Sequence, residues 1–328
     1  MSAHAGDLAP ALDAVRAAMR AVAAVGDPAT FGPGGQVEKG GAGPLTIADL
    51  ASQVAAVLSL QRDLGAEIRI LAEESASELE AHAGDDLLPP VCAAVCAAGF
   101  ACDPATVRRC LRSEHDHGGA GCFWAIDPLD GTKGFLRGGQ FAIAIALVSG
   151  ARPVLAALGM PRLGERGHGL GAGVIAAAAH GQGAWQSPAH AWEPRAIRAH
   201  AWRPGAPIRL AGSVETRHSA GDALESAASA VSTVEPVRVD SQVKYGLVAR
   251  GDADAYLRHS PTAGYAECVW DHAAGALVAT EAGCTVTDIH GRPLDFATGH
   301  RLTANAGVLC AAPGLHAPLL SALAASMR

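Results

Sequence analysis

The stretch FWAIDPLDGTKGF, residues 123–135, decides how the chain is read. Its apolar start predicts a buried strand that ends in two aspartates, Asp127 and Asp130. Pro128 between them fixes the backbone, and Gly131 permits a sharp turn before the hydroxyl of Thr132. Carboxylates at a strand end, beside a hydroxyl and open backbone N–H groups, outline a metal-and-phosphate site.

The rest of the chain is long enough to complete such a site from two bodies. At 328 residues it exceeds what one core usually serves, so residues 1–205 and 206–328 are expected as two domains. An apolar content of 49% with 17% charged residues is that of a folded globular protein. A formal charge of -7 argues against a nucleic-acid partner, and no unbroken apolar run approaches membrane-spanning length. The opening residues lack a basic start followed by an apolar core, which predicts a cytoplasmic protein. The eight cysteines contain no C-x-x-C pair and are expected as reduced thiols. Only three of the 25 basic residues are lysine, at Lys39, Lys133 and Lys244, a hint that a compact point charge serves better there than a planar fork.

Working outward, residues 8–25 predict an amphipathic helix, 26–44 a mobile glycine-rich loop, and a second helix starts near Thr46 with Asp49 in its first turn. A strand over 68–72 runs into Glu73, Glu74 and Ser75, and a helix follows at 88–98. The polar tail with His115, Asp116 and His117 reads as a solvated loop. Strands at 141–148, 153–158 and 174–179, with a hairpin into Ala184 and Trp185, make an α+β half that ends in a linker over 192–207. Beyond it strands and helices alternate as in an α/β half, and Asp271 stands where a helix N-cap is expected.

Glu73, Asp127, Asp130 and Asp271 are thus four carboxylates at the ends of regular elements. Hard divalent ions such as Mg²⁺ take few carboxylates plus water and phosphate oxygens, and two such ions about 3.5–4 Å apart would clamp an in-line phosphoryl transfer. Asp49 and Thr132 remain to orient and deprotonate water.

The motifs AEES (72–75), DPLDGT (127–132) and WDHAAG (270–275) with EAG (281–283) resemble the signatures of the lithium-sensitive, magnesium-dependent phosphatases, the inositol monophosphatase-like superfamily. Within it, DGTKGFLRGGQF (130–141), SVETRHS (213–219), DSQVKY (240–245) and YLR (256–258) are similar to the 3′(2′),5′-bisphosphate nucleotidase group. The loop from Lys39 to Asp49 departs from that group at Gly43 and Leu45 but keeps Thr46 and Asp49. The resemblance implies a two-domain sugar-phosphatase fold layered α-β-α-β-α. It implies two or three Mg²⁺ ions on Glu73, Asp127, Asp130, Asp271 and the Leu129 carbonyl, and water activated by Asp49 with Thr132. Gly131 and Thr132 N–H groups would receive the scissile phosphate, and His218, Ser241, Lys244 and Arg258 would hold the nucleotide.

A substrate with two phosphates needs a metal cluster for one and a metal-free cationic pocket for the other, which Lys244, Arg258 and His218 would supply. The expected reaction is hydrolysis of the 3′-phosphate of adenosine 3′,5′-bisphosphate, with activity on 3′-phosphoadenosine 5′-phosphosulfate left open. The alternatives are an inositol (poly)phosphate or sugar-phosphate phosphatase on the same fold, and a catalytically silent nucleotide-binding protein. The partner is a small molecule, not a nucleic acid or membrane, with monomer and homodimer both open.

Overall fold

The computed structural model describes residues 7–26, 36–39, 43–82, 84–112, 121–214, 220–259, 262 and 264–326. The tail around Asp116 and the position of His218 lie outside the described residues. The chain starts with α1 (Ala9–Val25), followed by β1 (Gln36–Lys39) and β2 (Gly43–Thr46), which leads directly into α2 (Ile47–Leu64). β1 and β2 pair antiparallel, so the segment expected as one loop holds a hairpin made by backbone hydrogen bonds rather than by side-chain propensity. Next come β3 (Ile70–Ala72), α3 (Ala76–His82), α4 (Leu88–Ala97), α5 (Pro104–Leu111) and β4 (Cys122–Asp130). Sequence reading missed α3 and α5. The start signal of α5 is Asp103, which accepts from the Thr106 N–H at 2.7 Å just ahead of Pro104.

The five-residue α6 (Thr132–Leu136) precedes β5 (Ala142–Ser149), β6 (Arg152–Met160), β7 (Val174–Ala179), β8 (Gly183–Pro188) and β9 (Arg195–Ile197). β9 lies inside the stretch expected as a linker and pairs with β8. The second half runs β10 (Ile208–Gly212), α7 (Ala220–Ser229), β11 (Val234–Arg238), α8 (Val243–Ala249), β12 (Ala255–Arg258), α9 (Ala273–Glu281), β13 (Thr285–Thr287), β14 (Val308–Ala311) and α10 (His316–Ser326). β3 to β9 form a seven-stranded sheet in chain order, and the five-stranded sheet has the order β11-β10-β12-β14-β13. β14 runs antiparallel to both its neighbours, so the half expected as α/β is a mixed sheet.

Alternation along the strands fixes the layers. Ile126, Ile143, Ile145 and Ala157 face α1, α2, α4 and α5 in one core. Their neighbours Ala125, Ala144, Ala146 and Leu158 face a second core holding α8, α9 and one side of the five-stranded sheet. The other side of that sheet, with Leu210, Leu257 and Leu309, packs on Leu224 of α7 and Leu319 and Leu323 of α10. Two mixed sheets and three helical layers therefore stack as α-β-α-β-α. Because each sheet is buried on both faces, β7 reads as an unbroken apolar run, VIAAAA.

One irregularity sets up the site. In β4, Asp127 pairs with Ala144 while Asp130 pairs with Ala142, so β4 carries one extra residue there. Residues three apart on a regular strand point to opposite faces; the bulge cancels that and brings both aspartates to the same side. Pro128, which has no N–H for the ladder, falls within the bulge, where proline is tolerated. The strand thus ends in the two aspartates, as expected, with the bulge between them.

The middle layer is close-packed. A Cβ on Gly275 of α9 would lie 2.3 Å from the ring of the fully buried Tyr245. Gly275→Ala is expected to cost about 1–3 kcal/mol through overpacking. Thermal unfolding checks it, and an unchanged melting temperature would contradict the packing described.

Candidate active site

Parallel pairing of β3 with β4 carries Glu73 to Asp127: the Glu73 N–H donates to the Ile126 carbonyl at 3.2 Å. α2 holds both strand ends from behind. Ser52 Oγ donates to the Pro128 carbonyl at 2.5 Å; Gln53 Nε2 donates to the Glu74 carbonyl at 2.6 Å and its Oε1 accepts from the Glu74 N–H at 2.9 Å. Sequence reading missed Ser52 and Gln53. Their signal was two polar residues inside a run that is otherwise buried and apolar.

Thr46 caps α2, accepting from the Ala48 and Asp49 N–H groups, while Asp49 Oδ2 reaches back to the Thr46 N–H at 2.8 Å. This capping box holds Asp49 by one oxygen, and the other, Oδ1, accepts from Thr132 Oγ1 at 3.2 Å. The Asp49 carboxylate is buried and is not among the residues that line the cavity, whereas Thr132, which donates to it, is. Gly131 sits between Asp130 and Thr132 with φ of 88°, and a Cβ there would stand 3.0 Å from Ser241. Glycine relieves both constraints.

The second half closes the site. Asp130 Oδ2 accepts from the Gln242 N–H at 2.5 Å, and the Gln242 side chain, itself buried, donates to the Trp270 carbonyl and accepts from the Gly275 N–H. Gln242, which sequence reading did not select, thereby ties the ends of β4, α8 and α9 together. Ser241 adopts φ of 69° next to it. Lys244 is buried with Nζ 3.4 Å from the Val239 carbonyl, 3.5 Å from Ser213 Oγ and 5.4 Å from the Tyr256 ring centre. Arg258 leaves the end of β12 and reaches Asp271 Oδ2 at 3.3 Å. Asp271 is not the helix cap expected of it: His272 occupies the N-cap of α9, without a capping side-chain bond.

These residues line one cavity of about 480 Å³, with Glu73, Asp127, Leu129, Asp130, Gly131, Thr132, Ser241, Lys244, Arg258 and Asp271 on its wall. Lys133, Arg137 and Asp240 line it too, Arg137 donating to Asp240 at 2.6 Å. Burial, then Glu73, Asp130 and Asp271, push the Asp127 carboxyl well above the usual carboxylate range. Burial and Asp271 raise Asp130 to about 6 against the pull of Lys244 and Arg258. Burial lowers Lys244 to about 8, opposed by Asp130. Like charges gathered in low dielectric call for a cation, and the donors are all hard oxygens, the set that suits Mg²⁺.

The sequence pattern of the inositol monophosphatase family matches residues 7–328, and the chain belongs to that family of metal-dependent phosphatases. Among curated proteins, a 3′(2′),5′-bisphosphate nucleotidase from Oryza sativa is 34% identical over 98% of this chain and 94% of its own length. One from Schizosaccharomyces pombe is 38% identical over 64% of this chain, a match that spans 61% of that protein. Of solved structures, the extragenic suppressor protein suhB from Bartonella henselae superposes with a TM-score of 0.64 at 20% identity, covering 94% of this chain and 95% of that one. CysQ from Bacteroides thetaiotaomicron gives a TM-score of 0.61 at 22% identity, covering 94% and 98%. Both share the fold.

The raised Asp130 carboxyl has a consequence for stability. An acid raised on folding contributes stability that is complete below its unfolded value, about 4, and lost as pH rises through its folded value of about 6. In chelator, Asp130→Asn is therefore expected to gain melting temperature relative to the unsubstituted protein as pH rises from about 4 to about 7. Parallel pH profiles for the two proteins would contradict this.

Proposed function

We propose that the protein is a Mg²⁺-dependent phosphatase that converts adenosine 3′,5′-bisphosphate to AMP and phosphate. The observation that carries this reading is a single cavity whose wall brings four carboxylates, Glu73, Asp127, Asp130 and Asp271, together with two cations, Lys244 and Arg258. Its volume of about 480 Å³ lies within the roughly 300–1,000 Å³ usual for small-molecule sites. A monophosphate would need only the metal-holding carboxylates; the second phosphate of a nucleotide bisphosphate gives the cations a partner as well. Similarity to named bisphosphate nucleotidases supports the same choice. With 1–205 and 206–328 taken as two units, the first brings Glu73, Asp127 and Asp130, and the second brings Asp271 and the cations.

In this reading Glu73, Asp127, Asp130, Asp271 and the Leu129 carbonyl hold the two or three ions. Bound there, Mg²⁺ supplies positive charge to the scissile phosphate and to the departing oxygen. Gly131 and Thr132 N–H groups receive the phosphate. Thr132 Oγ1 has two acceptors in reach, Asp49 Oδ1 at 3.2 Å and the Leu129 carbonyl at 3.3 Å; in this reading its proton goes to Asp49, which leaves its oxygen lone pair to accept a hydrogen bond from water. As the water oxygen bonds to phosphorus and the ester P–O bond breaks, the water proton passes to Thr132 and the Thr132 proton to Asp49, while the departing 3′-oxygen takes up a proton from solvent to become the hydroxyl of AMP. Ser241, Lys244, Arg258 and His218 hold the rest of the nucleotide. The 3′-phosphosulfated nucleotide presents the same 3′-phosphate and belongs to the same reading.

Phosphate release from adenosine 3′,5′-bisphosphate is expected to exceed that from inositol 1-phosphate at equal concentration. Equal rates would reassign the site to inositol or sugar phosphates, and nucleotide binding without release would make it a silent binder. Asp49→Asn is expected to lower kcat by roughly 10²-fold or more, with KM little changed. Full turnover by that variant would end the proton path described.

A further inference from the structure

Behind Arg258 lies a buried polar chain that the reaction as described does not use. Tyr245 Oη and His272 Nδ1 are 2.8 Å apart, and His272 Nε2 stands 3.5 Å from Glu267 Oε2. Glu267 Oε2 in turn lies 2.8 Å from Arg258 Nε. Tyr245, His272 and Glu267 are all buried. Burial alone would raise the Glu267 carboxyl, but the His272 bond and the Arg258 charge hold it down at about 2. Glu267, Asp271 and His272 each bring a ligand atom within 4.8 Å of the others, yet the Arg258 guanidinium already pairs with two of them.

Arg258 is therefore divided between two carboxylates of different duty. Its Nη2 reaches Asp271 Oδ2 at 3.3 Å, while its Nε is fixed to Glu267. Glu267 keeps an acceptor in reserve: Oε1 is buried without a hydrogen-bond partner among the described residues. A buried carboxylate oxygen with no partner is costly, and a guanidinium can meet both oxygens of one carboxylate through Nε and one terminal nitrogen.

We propose that Glu267 is a positioning residue that takes Arg258 into a two-point clasp when Asp271 turns to the metal. Nη2 then moves from Asp271 to Glu267 Oε1, and both carboxylates are satisfied at once. Asp271 becomes available to Mg²⁺, and the guanidinium keeps a fixed place in the nucleotide end of the cavity. With Tyr245 donating to Nδ1, the remaining ring proton of His272 sits on Nε2 and faces Glu267, holding it in place. This inference rests on the proposed roles of Asp271 and Arg258.

Glu267→Gln tests it, because the amide offers one acceptor and presents a donor where the second is needed. Calorimetric titration with Mg²⁺ alone is expected to show affinity weaker by roughly tenfold, as for loss of a partner that orients a metal ligand. AMP binding should weaken as well, so that turnover suffers through KM and Mg²⁺ requirement more than through kcat. Arg258→Met gives a second arm: with the guanidinium gone, Mg²⁺ should bind at least as tightly as to the unsubstituted protein, while AMP affinity falls. Adding Glu267→Gln to Arg258→Met should then leave Mg²⁺ affinity unchanged. A folded Glu267→Gln protein with unaltered Mg²⁺ affinity would overturn the proposal. So would an Arg258→Met protein that binds Mg²⁺ more weakly, a result that decides the matter even if Glu267→Gln does not fold. Phosphate release by the unsubstituted protein, measured alongside, judges the substrate reading separately.

Discussion

Mutual repulsion among carboxylates at one buried point is the constraint around which this molecule is built. Asp127 is 1% exposed and faces the charges of Glu73, Asp130 and Asp271. Such a group stays charged only if its neighbours are held rigidly and a cation is at hand, and otherwise takes up a proton, because the desolvated charges cannot relax apart. The scaffold meets the first condition with buried amide side chains. Gln53 clamps the backbone after Glu73, and Gln242 links Asp130 to the backbone that leads into α9. Each is a polar residue placed inside an apolar layer and fully used there.

The same constraint explains the bulge in β4. Two aspartates three apart cannot share a face of a regular strand, and the extra residue restores the match. Gly131 then reverses the chain within reach of Ser241, so that Thr132 lands against Asp49 from a helix 83 residues earlier. Charge balance comes from the other half. Lys244 and Arg258 oppose the rise that burial and Asp271 impose on Asp130.

Much of this was legible in the chain, for physical reasons that differ by residue. Strands such as β7 announce themselves because burial on both faces demands continuous apolar residues. Thr46 and Asp49 stand at the spacing of a capping box, so the start of α2 could be placed from sequence. By contrast β1, β2 and β9 are short and rich in glycine, proline or charge, and only their hydrogen-bonded partners make them strands. β14 was missed because a four-residue apolar run carries no periodicity of its own. Asp271 had two readings in the sequence, helix cap and metal ligand, because a carboxylate just before an apolar helix suits both; the structure gives the cap position to His272 and has Asp271 line the cavity.

The amino-acid sequence determined the chemistry available: which carboxylates, which hydroxyl, which lysine, and a backbone that must turn at Gly131. These are local properties, set by residue type and spacing, and they were enough to indicate metal-assisted phosphate chemistry. Only the tertiary structure decided how those groups divide the labour. It put Asp49 behind Thr132 instead of on the cavity wall, split Arg258 between Glu267 and Asp271, and left one Glu267 oxygen without a partner among the described residues. Those outcomes depend on contacts between residues far apart in the chain, where distance and burial, not residue type, set the strength of each interaction.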